Sequence, residues 1–153
     1  MTHLNSIPQG GVLLDVFRAF PTTARHLIMY HEALMRGPSP LTVAERELIA
    51  AYVSGLNACS YCHGIHSVTA QAFGVPERLV QALVEDFEAA PVDEQLRPVL
   101  RLVRKLTSLP SRLGQGDIDA VREAGWNDAA IHDAVAVCAL FNFMNRYVEG
   151  LGL

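Results

Sequence analysis

Apolar residues recur at intervals of three and four through nearly the whole chain, and glycine and proline divide it into segments. This spacing places apolar side chains on one face of a helix, and no segment has the alternation typical of strands joined by hairpin turns. We therefore predict an all-α fold. The predicted helices lie within residues 12–20, 23–35, 42–56, 57–73, 79–87, 96–109, 117–124 and 127–149.

Several helix ends are predicted from capping residues. Thr42 followed by Glu45 has the spacing of a capping box, and Asn57 is expected to cap the next helix. Asp117 is expected to cap the penultimate helix. The last predicted helix is apolar almost all round, which is typical of a helix at the centre of a bundle.

Length and composition favour one globular domain over residues 1–153. Half of the residues are apolar and 18% are charged, which excludes a disordered chain. The net charge of −4, with scattered basic residues, argues against a nucleic-acid or anionic-membrane partner. The longest apolar run, Ala134–Phe141, is too short to span a bilayer. With no secretion signal at the start, we expect a cytoplasmic protein. Its high apolar content favours a homo-oligomer.

The residues most suggestive of chemistry are Cys59, Cys62 and His66. On a helix, positions three or four apart share a face, so the two cysteines can approach disulfide distance at a helix start. His66 can take the thiol proton of Cys62, and the positive end of the helix stabilises a thiolate. Such a close pair in a reducing compartment favours a catalytic or metal-binding role over a structural disulfide.

Glu47 can join this group only if the chain folds back. In one straight helix it would lie about 22 Å from Cys62. A turn around residues 55–58, where a glycine and an asparagine permit it, would bring the carboxylate to His66. There it would orient the imidazole, as the third member of a nucleophile–base system does.

The same residues also allow other interpretations. Cys59, Cys62, His63 and His66 could in principle bind zinc, but four ligands within eight residues of one helix would not readily surround a tetrahedral ion. Tyr61 could be a core aromatic residue or a hydrogen-bond donor at the site.

The remaining cysteine and several histidines are not assigned to the site. Cys138 lies in an apolar run and is expected to be an inert buried thiol. His26, His31 and His132 lie on predicted helices without nearby acidic or thiol partners in the sequence. We interpret these three as surface or partly packed residues.

The spacing of Glu47, the two close cysteines and His66 resembles the signature of the AhpD-like alkylhydroperoxidases. In this sequence Glu47 is followed after eleven residues by Cys59-Ser60-Tyr61-Cys62, and His66 follows after three more. That family belongs to the carboxymuconolactone decarboxylase superfamily. The resemblance covers roughly residues 40–153, and the motif core lies at about 40–75. Further segments that are similar to its peroxidase-related branch are 41–47, 124–126, 141–146 and 150–152.

The resemblance implies a helical bundle with the Cys-x-x-Cys pair at a helix N-terminus, assembled as a trimer or hexamer. It implies thiol-dependent reduction of hydroperoxides, with Glu47 and His66 in a proton relay to the cysteines. Tyr61 stands where the best-studied branch has a histidine, and a tyrosine is not a base near neutral pH. The decarboxylase branch lacks the cysteine pair, so decarboxylation is not expected here.

The sequence thus predicts a disulfide-cycling oxidoreductase that needs no metal or organic cofactor. Cys62 would attack the peroxide and Cys59 would resolve the product to a disulfide, which an external dithiol reduces. Cys59 is expected to be the more exposed thiol and the one that exchanges with the reductant. The alternative is a non-enzymatic oligomeric module whose cysteines bind zinc or sense redox state.

Overall fold

This computed structural model describes residues 2–153. Within that range all regular secondary structure is helical, and there is no strand. The predicted all-α class is confirmed. In chain order the helices are α1 (Leu13–Ala19), α2 (Pro21–Arg36), α3 (Val43–Leu56), α4 (Ser60–Ala72), α5 (Leu79–Glu85), α6 (Arg97–Ser108), α7 (Gln115–Glu123) and α8 (Asp128–Leu151), with a short 3₁₀ turn at Pro110–Arg112.

Helices α3 and α8 form the centre of the bundle. Every residue of α3 from Arg46 to Ser54 is buried, and α3 packs against α2, α4, α5, α6 and α8. Helix α8 packs against α2, α3, α4, α6 and α7, as its all-round apolar pattern predicts. The large apolar side chains that remain exposed lie mainly outside these two helices. On α2 and α4 they are Ile28, Met29, Tyr30, Ile65 and Val68.

The chain reverses direction between α3 and α4. Asn57 ends α3, Ala58 adopts a positive φ of 54°, and Cys59 is the N-cap of α4. The prediction that Asn57 caps α4 is therefore wrong. Its side chain instead donates hydrogen bonds to Asn142 Oδ1 at 3.1 Å and Asn145 Oδ1 at 2.9 Å on α8. These bonds hold the turn against the central helix.

Close packing behind this turn requires a glycine. A Cβ atom on Gly55 would lie 2.6 Å from Val84 Cγ2 and 3.0 Å from His63 Nδ1. A side chain at residue 55 would force the Val84 and His63 side chains to shift, so Gly55 permits the close contact of α3 with these two side chains.

The start of α3 matches its prediction and the start of α7 does not. Thr42 N–H donates to Glu45 Oε2 at 2.7 Å, and Glu45 N–H donates to Thr42 Oγ1 at 3.2 Å, so the capping box is confirmed. Helix α7 begins at Gln115, with Gly114 as its N-cap. Asp117 accepts the N–H of Gly114 at 2.8 Å from the first turn, so the helix starts before the predicted residue.

Within residues 2–153, no helix combines the length and the apolar character needed to cross a bilayer.

Candidate functional site

The site is built around a buried carboxylate. Glu47, on α3, has no solvent exposure, and both of its oxygens face a charged or chargeable side chain. Oε2 lies 2.6 Å from His66 Nδ1 on α4, and Oε1 lies 2.6 Å from Arg36 Nη1 at the end of α2. The reversal at residues 57–59 brings α4 back along α3, and Glu47 thereby meets His66 as the fold-back hypothesis requires.

Glu47 is held in its charged form by its neighbours. Burial by itself raises the pKa of Glu47, but the hydrogen bonds and charges of His66 and Arg36 outweigh it and hold the pKa below its usual value. A carboxylate only accepts hydrogen bonds, so the His66 nitrogen that faces it carries the hydrogen. In the neutral ring the other nitrogen, Nε2, is then the one that can accept a proton.

Cys62 and the Glu47–His66 pair open onto the same cavity. This cavity has a volume of about 440 Å³ and lies between α1, α2, α4 and α8. Cys62 is 4% exposed and lies one helical turn before His66, on the same face of α4. The other walls of the cavity are largely apolar and are formed by Leu13, Phe17, Leu27, Ile28, Ile65, Phe141 and Met144. The polar residues that complete the lining are His31, Glu32, Arg36, Tyr61 and Thr69.

Cys59 lies in different surroundings. It has no solvent exposure and packs with Val148 of α8, so the expectation that it is the more exposed thiol is wrong. Burial raises the pKa of Cys59 to about 12, and the backbone N–H of Cys62 opposes this shift only in part. It borders a separate surface groove together with Ser60 and His63. The thiol adjoining the cavity is therefore Cys62.

The sequence matches a known protein family. Residues 21–104 match the model of the carboxymuconolactone decarboxylase family, which is more than half of the chain. The chain belongs to this family. None of the functionally curated proteins matches the sequence.

Solved structures of similar proteins share the fold of this carboxymuconolactone decarboxylase family member. An uncharacterized peroxidase-related protein from Silicibacter sp. TM1040 is 28% identical with a TM-score of 0.86, over 92% of this chain and 74% of that one. An alkylhydroperoxidase AhpD core protein from Ralstonia eutropha JMP134, also an uncharacterized peroxidase-related protein, is 26% identical with a TM-score of 0.84, over 90% and 72%. A protein of unknown function from Agrobacterium tumefaciens shares the fold alone, at 17% identity and a TM-score of 0.76, over 99% and 96%. The AhpD-like resemblance is confirmed.

Tyr61 is a partly buried aromatic residue, which is the first of the two interpretations that the sequence left open. It packs with Cys59 and Cys62, and it also lines the cavity. Its hydroxyl accepts a hydrogen bond from the N–H of Leu13 at 3.4 Å, which fastens the start of α1 to α4. A tyrosine hydroxyl that accepts a hydrogen bond can also donate one.

Two members of the site were missed from the sequence. His31 and Arg36, both on α2, line the cavity of this family member. His31 lies within the apolar stripe of α2, and a titratable side chain among core positions was the available signal. Arg36 follows that stripe and gives no such signal, because its pairing with Glu47 depends on tertiary packing.

The residues left outside the site are placed mostly as expected. Cys138 is buried and lies 3.3 Å from Thr107 Oγ1, and burial raises the pKa of its thiol. His26 is exposed on α2. His132 is also exposed, but it does have an acidic partner, since its Nδ1 lies 2.9 Å from Asp133 Oδ1.

The four side chains of the zinc alternative do not converge. Cys62 and His66 line the cavity, whereas Cys59 and His63 border the groove. His63 Nδ1 is engaged by the backbone oxygen of Ala51 at 3.0 Å. Across residues 2–153, no three His, Cys, Asp or Glu side chains are grouped so that they could hold a metal ion.

Proposed function

We propose that this protein is a thiol-dependent peroxidase and disulfide oxidoreductase, which reduces hydroperoxides through Cys59 and Cys62. One observation carries the proposal. The buried Glu47–His66 pair, joined at 2.6 Å, opens onto the same cavity as Cys62. A thiol with a histidine one helical turn away, and a carboxylate orienting that histidine, is the arrangement that activates a nucleophile.

In the first half of the proposed cycle, His66 accepts the proton of Cys62. The charge of Glu47 stabilises the imidazolium that results. The Cys62 thiolate then attacks the terminal oxygen of the hydroperoxide. A sulfur–oxygen bond forms, the oxygen–oxygen bond breaks, and Cys62 becomes a sulfenic acid. The alkoxide or hydroxide that leaves takes up one proton to become an alcohol or water, which balances the proton that Cys62 gave up.

In the second half, Cys59 resolves the sulfenic acid. Its sulfur attacks Cys62 Sγ, a disulfide forms, and the hydroxyl leaves as water. An external dithiol then supplies two electrons and returns both cysteines to thiols. Because Cys62 lines the cavity and Cys59 does not, this assignment makes Cys62 the thiol that meets the peroxide and Cys59 the resolving thiol.

The assembly and location of the protein also belong to this proposal. We propose a cytoplasmic homo-oligomer, a trimer or hexamer. Exposed apolar side chains on neighbouring helices support association between copies, including Ile28 and Met29 on α2 and Ile65 and Val68 on α4.

The test is peroxide consumption by reduced protein with a series of dithiol reductants, dithiothreitol among them. Wild type should consume an organic hydroperoxide catalytically, and Cys62→Ser should abolish consumption. Cys59→Ser should react once per chain and stop at the sulfenic acid, which dimedone can trap. Cys138→Ser is the matched control and should behave as wild type.

Two results would contradict the proposal. One is wild-type protein that consumes no peroxide with any dithiol, and the other is Cys62→Ser protein as active as wild type. Metal analysis of protein purified without chelator tests the non-enzymatic alternative, for which stoichiometric zinc would be expected.

A further inference from the structure

His31 is a titratable side chain inside the candidate active-site cavity that the relay of Glu47, His66 and Cys62 does not use. It projects from α2, whereas Cys62 and His66 project from α4, and all three line the cavity. The centroid of its ring lies 6.3 Å from that of His66 and 6.1 Å from that of Phe141. Phe141 in turn meets the His66 ring edge-on at 4.4 Å.

The ring nitrogens of His31 are not engaged by the protein. Within residues 2–153, no side chain or backbone group forms a hydrogen bond with them, whereas His66 is bound by Glu47 and His63 by Ala51. A partly buried imidazole with free nitrogens, in the same cavity as a thiol, has hydrogen-bonding capacity that a bound molecule or water can use.

Its surroundings favour the neutral ring. Burial lowers the pKa of His31, and the positive charges of His66 and Arg36 lower it further, while Glu47 and Glu32 act in the opposite direction. A neutral imidazole still carries one N–H donor and one acceptor nitrogen, so it can give a proton at one atom and take one at the other.

We propose that His31 is a catalytic residue of the peroxide step, donating its ring N–H to the oxygen that leaves when Cys62 attacks. This inference rests on the proposed peroxidase function. His66 is already committed in the proposed cycle. Its Nδ1 is bonded to Glu47 at 2.6 Å, and the proposed relay uses its Nε2 for the proton of Cys62.

The step balances in atoms and electrons. The thiolate donates an electron pair to the terminal oxygen of R–O–O–H, so the sulfur–oxygen bond forms and the oxygen–oxygen bond breaks. The leaving R–O⁻ takes the ring proton of His31 and becomes the alcohol. The other nitrogen of His31 takes a proton from water, and the proton that Cys62 gave to His66 returns to solvent. The net change is one thiol and one hydroperoxide converted to one sulfenic acid and one alcohol.

Two electrophiles separate this role from a structural one. Iodoacetamide and cumene hydroperoxide both consume the Cys62 thiolate, but iodide leaves without a proton and an alkoxide does not. The rate at which the Cys62 thiol is lost is measured with each reagent by quenching samples and analysing them by mass spectrometry. The proteins compared are reduced wild type, His31→Gln and His31→Phe. Phenylalanine keeps a ring beside Phe141 and removes the donor, and glutamine keeps an N–H donor. His26→Gln, an exposed histidine on the same helix, is the matched control.

We expect the peroxide rate of His31→Phe to fall about 10²-fold, the lower end of the usual range for general acid catalysis. His31→Gln should lose less, and all iodoacetamide rates should match wild type. Equal peroxide rates in wild type and both variants would overturn the assignment of His31 but not the proposed function. Rates that fall together for both reagents would also overturn it. Wild-type protein that reacts with iodoacetamide but not with peroxide would overturn the proposed function itself.

Discussion

Replacement of Glu47 by glutamine tests the relay most directly. The substitution keeps the shape of the side chain and removes its charge. In the wild type, Glu47 accepts a hydrogen bond from His66 through Oε2 and forms an ion pair with Arg36 through Oε1. A glutamine can offer an oxygen to only one of them and must turn its NH₂ group toward the other.

The size of the effect follows from the bond that is lost. A hydrogen bond to a charged group contributes about 1.5–3 kcal/mol, and that energy stabilises the imidazolium formed when His66 takes the Cys62 proton. Since 1.36 kcal/mol corresponds to a factor of ten, the thiolate population at neutral pH should fall by about 10- to 100-fold. The rate of Cys62 alkylation should fall by the same factor.

The assay is iodoacetamide alkylation from pH 5 to 9, with the modified cysteine identified by mass spectrometry. His66→Ala should resemble Glu47→Gln, and the double variant should be little slower than either, because residues that act as one unit are not additive. Glu45→Gln is the matched control, since Glu45 lies in the same helix but points to the Thr42 cap. Alkylation profiles that are unchanged in folded Glu47→Gln and His66→Ala would refute the relay and leave both residues structural.

Three further predictions concern the thiols, the assembly and acid stability. Mild oxidation should remove two thiols per chain, Cys59 and Cys62, and spare Cys138; thiol counting and peptide mapping check this, and loss of one or three thiols would contradict it. Light scattering at micromolar concentration should give the mass of a trimer or hexamer, and the mass of one chain would refute the oligomer. Because the pKa of Glu47 is below its ordinary value of 4.5, its stabilising contribution is complete above that pH and is lost as the pH falls through the folded-state pKa. Urea unfolding from pH 7 to 3 should therefore show wild type losing its advantage over Glu47→Gln at the acid end, and a constant difference would contradict this.

The parts of the fold predicted from the sequence are those set by local spacing. The helical class, the Thr42–Glu45 capping box and the central α8 depend on periodicity and on contacts three or four residues apart. The α3–α4 turn was predicted in position but not in detail. Asparagine is a residue type common at N-caps, but the Asn57 amide donates its hydrogen bonds to α8 across the bundle. No local sequence pattern reveals that contact.

In the candidate site, too, some residues were predictable from local spacing and others are placed by tertiary packing. Cys62 and His66 share a helix face by their spacing alone, and Glu47 required only that the chain fold back. Arg36 and His31 reach the cavity because α2 packs beside α3 and α8, a tertiary contact with no signature in their neighbouring residues. The burial of Cys59 likewise arises from α8, whose Val148 covers it. Tertiary packing, and not local spacing, decides which thiol faces the cavity.

The burial of Glu47 is itself an argument for function. A carboxylate without solvent contact loses its hydration, and replacing a buried ion pair with apolar side chains is often neutral or stabilising. An apolar residue at this position of α3 would lie next to core residues, since Leu48 and Ile49 follow it in the chain and are buried. The pairing with Arg36 and His66 offsets the desolvation cost but gives little reason, from stability alone, to place a charge there. The reason lies in what the charge faces. A fixed negative group behind the histidine of a thiol cavity stabilises the one state in which that histidine carries the thiol's proton, and this requires the carboxylate to be buried, since water would screen it.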